Sequence, residues 1–269
     1  MNGEPLRVVQ ITDSHLLAEH GARVHGVDTF AALERIVERI RSAAWRPQVV
    51  IATGDLSEDG SSGSYRRLRG LLLQLEVPVV CIPGNHDGRE AMQAHLAGGS
   101  IQLQRVVALA TWRIVLLDSC VTGKSHGRLG PAELDALRQA LDAGGGQHAL
   151  VALHHGPVSP CPMPECRLEN ADELLELMRA HPSARGVISG HLHCAIDEDR
   201  GGVRAIVTPS TCAFATHPTS ADEVRPFLQS HQLDPARRGF RRLELHRDGA
   251  IVTEVIWDHE LEDENPRLG

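Results

Sequence analysis

Short β-branched runs, most of them followed by a polar cluster, set the limits on what this chain can fold into. The runs cover residues 7–12, 49–53, 77–82, 114–117, 149–153 and 187–189. Each is too short for an ordinary helix and reads as a buried strand. Stretches with helical spacing separate several of them: residues 30–42, with Leu33, Ile36, Val37 and Ile40 on one face, then Pro131–Asp142 and Ala171–Arg179. Strand and helix in alternation predict an α/β fold. Pro131 after Gly130 suits a helix start, and Gly144 to Gly146 suit a helix end. After His193 the pattern changes to strands at residues 203–207, 240–246 and 251–257, the last two joined by an Arg-Asp-Gly turn.

A chain of 269 residues with 42% hydrophobic and 23% charged content has enough apolar material for a large buried core. One domain over residues 1–257 is the simplest organisation. Two segments fit neither period, the proline- and cysteine-rich residues 156–167 and the polar residues 213–239, and both are expected to be long loops acting as lids. The acidic residues 258–269 read as a solvated tail. A net charge of -8 argues against nucleic acid as a partner, since no global positive field would hold a phosphate backbone. No apolar run approaches the ~20 residues that span a bilayer, so no stable membrane association is expected. The opening residues lack a basic region followed by an apolar stretch, so a cytoplasmic location is expected.

The polar clusters read Asp13-x-His15, Gly54-Asp55, Gly84-Asn85-His86-Asp87, His154-His155 and Gly190-His191-x-His193. Each directly follows a predicted strand, where α/β sheets bind ligands. Singly, each is weak, because a strand-end histidine is commonly a hydrogen-bonded structural residue. Jointly, carboxylates and imidazoles after five successive strands point to a metal centre. Imidazole with carboxylate suits manganese, iron or zinc, and the lack of cysteine in the clusters argues against structural zinc. Two cations at ~3.5 to 4 Å need a bridging ligand, which a carboxylate such as Asp55 supplies.

Taken in order, these clusters resemble the D-x-H, G-D, G-N-H-D/E, H and G-H-x-H motifs of the calcineurin-like metallophosphoesterases. The resemblance implies a four-layer αββα sandwich of two mixed sheets flanked by helices, with two divalent metal ions. One metal would be held by Asp13, His15, Asp55 and His193, and the other by Asp55, Asn85, His154 and His191. Within the His154-His155 pair the family pattern favours the first. A closer resemblance covers nearly the whole chain, through ITDSHLL, ATGDLSEDGSS, PGNHD, LLDS, HGRL, LHHGPV, RLENADEL, GHLH, TPSTC and GFRRLELHRDG. These segments look like the bacterial class III cyclic-nucleotide phosphodiesterases. That implies hydrolysis of 3′,5′-cyclic AMP to 5′-AMP by in-line attack of a metal-bridging hydroxide. Iron or manganese is the expected metal, with zinc able to occupy the same site, and a homodimer is expected. Asn85, His86 and His193 would contact substrate; Asn85, His86 and Asp55 would be catalytic. A broader phosphodiesterase acting on glycerophosphodiesters or 2′,3′-cyclic nucleotides is the alternative.

His86 is read either as a general acid for the leaving alkoxide or as a positioning residue for Asn85 or a phosphate oxygen. Asp87 either orients His86 or caps a turn. Arg167 and Asn170 either contact the nucleotide or, for Asn170, cap a surface helix. His126 and His217 are expected to be exposed or structural. Six cysteines occur, expected as free thiols; the Cys161 and Cys166 pair lacks zinc-finger spacing, and Cys194 receives no role. Tyr65 and three tryptophans show no spacing for stacking nucleic-acid bases.

Overall fold

The protein was analysed as a computed structural model, which describes residues 4–217, 220, 222–223 and 233–258. In chain order its strands are β1 (Leu6–Ile11), β2 (Arg23–Val24), β3 (Val27–Asp28), β4 (Val49–Thr53), β5 (Val79–Ile82), β6 (Ile101–Gln102), β7 (Val106–Leu109), β8 (Trp112–Leu116), β9 (His148–Ala152), β10 (Ala184–Ser189), β11 (Ile196–Asp199), β12 (Arg204–Val207), β13 (Phe214–Ala215), β14 (Leu233–Asp234), β15 (Gly239–Leu245) and β16 (Ile251–Trp257). The α-helices are α1 (Thr29–Ser42), α2 (Ser62–Leu72), α3 (Arg89–His95), α4 (Pro131–Asp142) and α5 (Ala171–Arg179). Two six-stranded sheets form, ordered β16-β15-β1-β4-β5-β6 and β11-β12-β10-β9-β8-β7. In the first sheet β1, β4, β5 and β6 run parallel, with β15 antiparallel to β1 and β16 antiparallel to β15 at one flank; in the second β8, β9, β10 and β12 run parallel with β7 and β11 antiparallel at the two flanks.

Alternate residues of each inner strand reach different cores, which is why the runs are apolar throughout. Val8 of β1, Val49 and Ile51 of β4, Leu150 and Ala152 of β9 and Ile188 of β10 share one cluster between the sheets. Val9 and Ile11 face the other way, onto α1 and α2 with Leu33, Ile36, Tyr65 and Leu68. Ala149, Val151 and Val187 face α4 and α5 with Leu137, Leu141, Leu174 and Met178. Three apolar layers between four structural layers make the αββα sandwich that the resemblance implies.

The expected strands recur with ends shifted by up to three residues. Helix α2 fits no apolar periodicity strong enough to be read from sequence, because Ser62, Gly63, Ser64 and Gly70 dilute its stripe. It forms because Ser61 accepts a hydrogen bond from Ser64 N at 3.1 Å, capping its start, and because Tyr65, Leu68, Leu71 and Leu72 are buried. Strand β11 (Ile196–Asp199) is an exposed edge of mostly acidic residues with no apolar signal, a composition that discourages pairing with another sheet edge.

Residues 156–167 are more a packed flap than an open lid: Val158, Cys161 and Cys166 are buried in the α4/α5 core. Of the second expected lid, residues 218–219, 221 and 224–232 lie outside the described residues; Phe214–Ala215 and Leu233–Asp234 pair antiparallel at its two ends. The acidic tail also lies outside them except for Asp258, which is buried and paired with Arg35 and with Arg238 Nε at 2.7 Å. Asp258 therefore anchors the chain just after β16 and is not part of a solvated tail.

Candidate active site

Strands β1, β4 and β5 of one sheet and β9 and β10 of the other all deliver their C-terminal ends to the same region, so the five polar clusters converge. The turns that follow are strained. Asp13, His15, Asp55, His191 and His193 have φ of 53°, 47°, 48°, 68° and 51°, a left-handed conformation that costs free energy in any residue other than glycine. Cross-connections hold them there: Asp13 N donates to Gly54 O and His15 N to Asp55 O, each at 2.9 Å. Two glycines are required by close approach. A Cβ at Gly84 would collide with Asp55 Oδ1, and one at Gly190 with Thr12 Oγ1 and Asp13 Oδ2.

Asp13 and Asp55 are buried, and imidazoles surround them. His154 Nε2 lies 3.2 Å and His15 Nε2 3.9 Å from Asp55 Oδ2, while His193 Nε2 lies 3.4 Å from Asp13 Oδ1. The Nε2 atoms of His15 and His193 approach to 3.1 Å. Their Nδ1 atoms are tied outward, to Glu58 Oε2 at 2.6 Å and to Ala213 O at 3.1 Å, so each ring presents Nε2 inward. His154 Nδ1 meets Thr53 O at 2.8 Å, leaving Nε2 buried with no hydrogen-bond partner. A buried imidazole nitrogen aimed at a carboxylate, with no regular hydrogen bond of its own, is what a site built for a cation requires.

Charge and burial compete strongly here. Burial alone would raise Asp55, but His154, then His15 and His86, outweigh it and hold the carboxyl well below its usual range. Asp13 is likewise lowered, with burial opposed by His193 and His154. Burial would lower His154, yet Asp55 and Asp13 push it up to about 9. His191 goes the other way, to about 4, through burial and the nearby His154. His155 is lowered by burial, His154 and His191. The donor set of oxygens and imidazole nitrogens thus fits a divalent cation, which would replace the protons now shared among these groups.

The family model that describes calcineurin-like phosphoesterases matches residues 6–195, from β1 through the last histidine of the site. The chain belongs to the calcineurin-like phosphoesterase family. Its curated relatives include the 3′,5′-cyclic adenosine monophosphate phosphodiesterase CpdA of Pseudomonas aeruginosa, 41% identical over 92% of this chain and 88% of the relative. The Escherichia coli (strain K12) protein of the same name is 35% identical over 96% of this chain and 90% of its own. A dimetal phosphatase from Danio rerio shares the fold, with a TM-score of 0.64 at 17% identity, covering 94% of this chain and 99% of that one.

Within this phosphoesterase fold a cleft of ≈ 250 Å³ opens over the clustered ligands, lined by His15, Asp55, Asn85, His86, His191 and His193 among others. Every site residue expected from sequence lies in or directly beneath it. Of the two readings of Asp87, the turn cap is the one the structure matches. Its carboxylate accepts from Leu56 N, Ser57 N and Gly84 N at 3.1, 3.0 and 2.9 Å and from Tyr65 Oη at 2.8 Å, so it clamps two loops together and does not orient His86. The residue that faces His86 is Glu58, whose carbonyl and Oε2 lie 3.2 and 3.3 Å from His86 Nδ1. Burial would raise Glu58, but His15 and then His86 hold it below its usual value. Nothing in an isolated glutamate three residues after Asp55 distinguishes it from a surface charge.

Sequence reading also passed over the supports. His155 bonds Ser119 Oγ through Nδ1 at 2.9 Å, and its Nε2 is shared between Ser125 O at 2.9 Å and Asn85 Oδ1 at 3.2 Å, so it ties the asparagine to a neighbouring loop. Ser210, inside the TPSTC segment, donates to Asp13 O at 2.8 Å, which gives that segment a role as a buttress of the first metal-site loop. Asn170 neither caps a surface helix nor reaches the cleft: it is buried, exchanging two 2.9 Å bonds with the Leu129 backbone. Arg167 donates to Pro162 O within its own loop, and His126 pairs with Glu169 at 3.0 Å.

Proposed function

We propose that this phosphoesterase hydrolyses 3′,5′-cyclic AMP to 5′-AMP, with one divalent metal ion on Asp13, His15, Asp55 and His193 and a second on Asp55, Asn85, His154 and His191. The observation that carries the metal reading is the buried His154 Nε2 aimed at Asp55 Oδ2 at 3.2 Å. The substrate reading rests on relatives named as cyclic-AMP phosphodiesterases that match along almost their full lengths. Iron or manganese fits the oxygen and imidazole donors, and zinc fits the same site. Bound there, the metals supply an activated water and neutralise the phosphodiester charge.

The chain's own residues do the remainder. Asp55 Oδ1 accepts from His86 N at 2.9 Å, which fixes the carboxylate that would join the two ions. His155 holds Asn85 Oδ1, so the asparagine enters the cleft preset for a phosphoryl oxygen or a cation. His86 lines the cleft with Nδ1 engaged by Glu58, so Nε2 is the nitrogen that serves the substrate. Expelling the 3′ oxygen of the ribose needs a proton, and His86 Nε2 is the group placed to donate it. A net charge of -8 leaves recognition of the small anion to these local groups. Among the described residues no helix is long and apolar enough to cross a membrane, and a cytoplasmic enzyme, assembled as a homodimer, fits the reading.

Metal-reconstituted protein incubated with 3′,5′-cyclic AMP, 2′,3′-cyclic AMP and a glycerophosphodiester at matched concentrations tests the proposal. The 3′,5′ substrate should turn over fastest. Turnover of the other two alone overturns it in favour of a broader phosphodiesterase.

A further inference from the structure

Behind the active site, three segments far apart in sequence bring together groups that the reaction above does not use. Cys161 and Cys166 come from the flap at residues 156–167, and His217 from the segment after β13. The two sulfurs and a ring nitrogen of His217 all lie within 4.8 Å of one another. The thiols are 2% and 8% exposed, and none of the six cysteines is in a disulfide. A third thiol, Cys194, is buried in the same cluster directly after His193 and interacts electrostatically with both.

We propose that Cys161, Cys166 and His217 form a zinc site that is separate from the dinuclear centre. Thiolate and imidazole are the donors of closed structural zinc sites, and a tetrahedral site needs its ligands about 3.8 Å apart, a modest contraction from the distances here. The flap is prepared for such a site. Prolines 157, 160, 162 and 164 limit its freedom in the unfolded chain, and Cys161 N bonds Ser159 Oγ at 3.1 Å while Cys166 N bonds Met163 O at 3.2 Å. His217 Nε2 meets Leu192 O at 2.5 Å, the kind of backbone contact that orients a ligating imidazole. Apolar packing alone explains buried thiols; it does not explain an imidazole converging on two of them from another segment.

The site would strap the flap to the loop carrying His191 and His193. Glu165, between the two cysteines, places its carbonyl 2.8 Å from His191 Nε2, and His217 holds the backbone between the two metal-site histidines. The strap therefore sets the position of one ring of the catalytic centre without touching substrate.

Cobalt(II) titration of the metal-free full chain tests this, because only a sulfur ligand gives an intense near-ultraviolet charge-transfer band and the dinuclear site contains no cysteine. The band should appear, with saturation at about three metal equivalents per chain. It should persist in Asp55→Ala, which disables the other centre, and vanish in Cys161→Ser and in Cys166→Ser, where saturation falls to about two equivalents. A wild-type chain that saturates without the band overturns the proposal, as does a band unchanged in both serine variants. The wild-type measurement decides the matter even if the variants fold poorly.

Discussion

The loops after β4 and β5 each carry an aspartate, Asp55 buried and Asp87 half-buried, and their environments are opposite. Asp55 accepts one backbone hydrogen bond and is otherwise ringed by imidazoles, so its charge is balanced by groups that a cation can displace. Asp87 accepts from three backbone N–H groups and a tyrosine hydroxyl, all fixed to the protein. Burial and then the charge of Asp55 push Asp87 upward, so the same neighbour that is held ionised makes its partner's charge more costly. One carboxylate is left available for chemistry, whereas the other is consumed by architecture. Identical side chains a short distance apart thus separate into function and fold by what their hydrogen-bond capacity is attached to.

The contrast is broken most directly at Asp55. Asp55→Ala should abolish turnover and remove bound metal while leaving the far-ultraviolet circular dichroism of the folded chain in place; retained activity with two metals bound would sink the proposed site. Asp87→Ala should do the reverse, lowering stability by about 3 kcal/mol because several buried donors lose their acceptor, with metal-loaded activity surviving below the new melting point. If the two variants behaved alike in denaturant titration and metal analysis, the division between them would be wrong. A smaller effect is expected at Glu58→Gln: about 10- to 100-fold in kcat, with a displaced pH profile, since it orients His15 and His86 without occupying the metal site itself.

The smallest effect is a pH dependence of the metal-free protein. His154 has its pKa raised to about 9, so its protonated form, held between Asp55 and Asp13, stabilises the fold. That contribution is fully present below the unfolded value of ~6.5 and is lost as pH rises through about 9. Asp55 and Asp13, both lowered, contribute above the usual carboxylate value and lose that contribution in acid. The melting temperature of metal-free protein should therefore fall between pH 6.5 and 9, and metal loading should remove the decline, because the cation takes the proton's place. A metal-free melting curve flat over that range would refute the assignment of charge to His154.

Much of this was legible in the residues. Strands buried on both faces read as continuous apolar runs, and each polar cluster starts within two residues of a strand end, so Asp13, His15, Asp55, Asn85, His86, His154, His191 and His193 stood out as candidates by position. What remained hidden depends on pairs distant in the chain. Glu58 acquires meaning only beside His15 and His86, Ser210 only beneath Asp13, and Tyr65 only against Asp87. The convergence of Cys161 and Cys166 with His217 could not be read from spacing, because the imidazole is supplied by another segment. Helix α2 escaped notice because its capping serines and glycines mask the buried face that tertiary packing completes.

The five left-handed residues at Asp13, His15, Asp55, His191 and His193 also bear on how this protein responds to selection. Each such backbone holds about 1 kcal/mol or more that glycine would release. A library screened for heat tolerance alone would find gains at these positions and return proteins that are sturdier and inert. Breeding a hardier enzyme from this chain must therefore start by freezing those five codons.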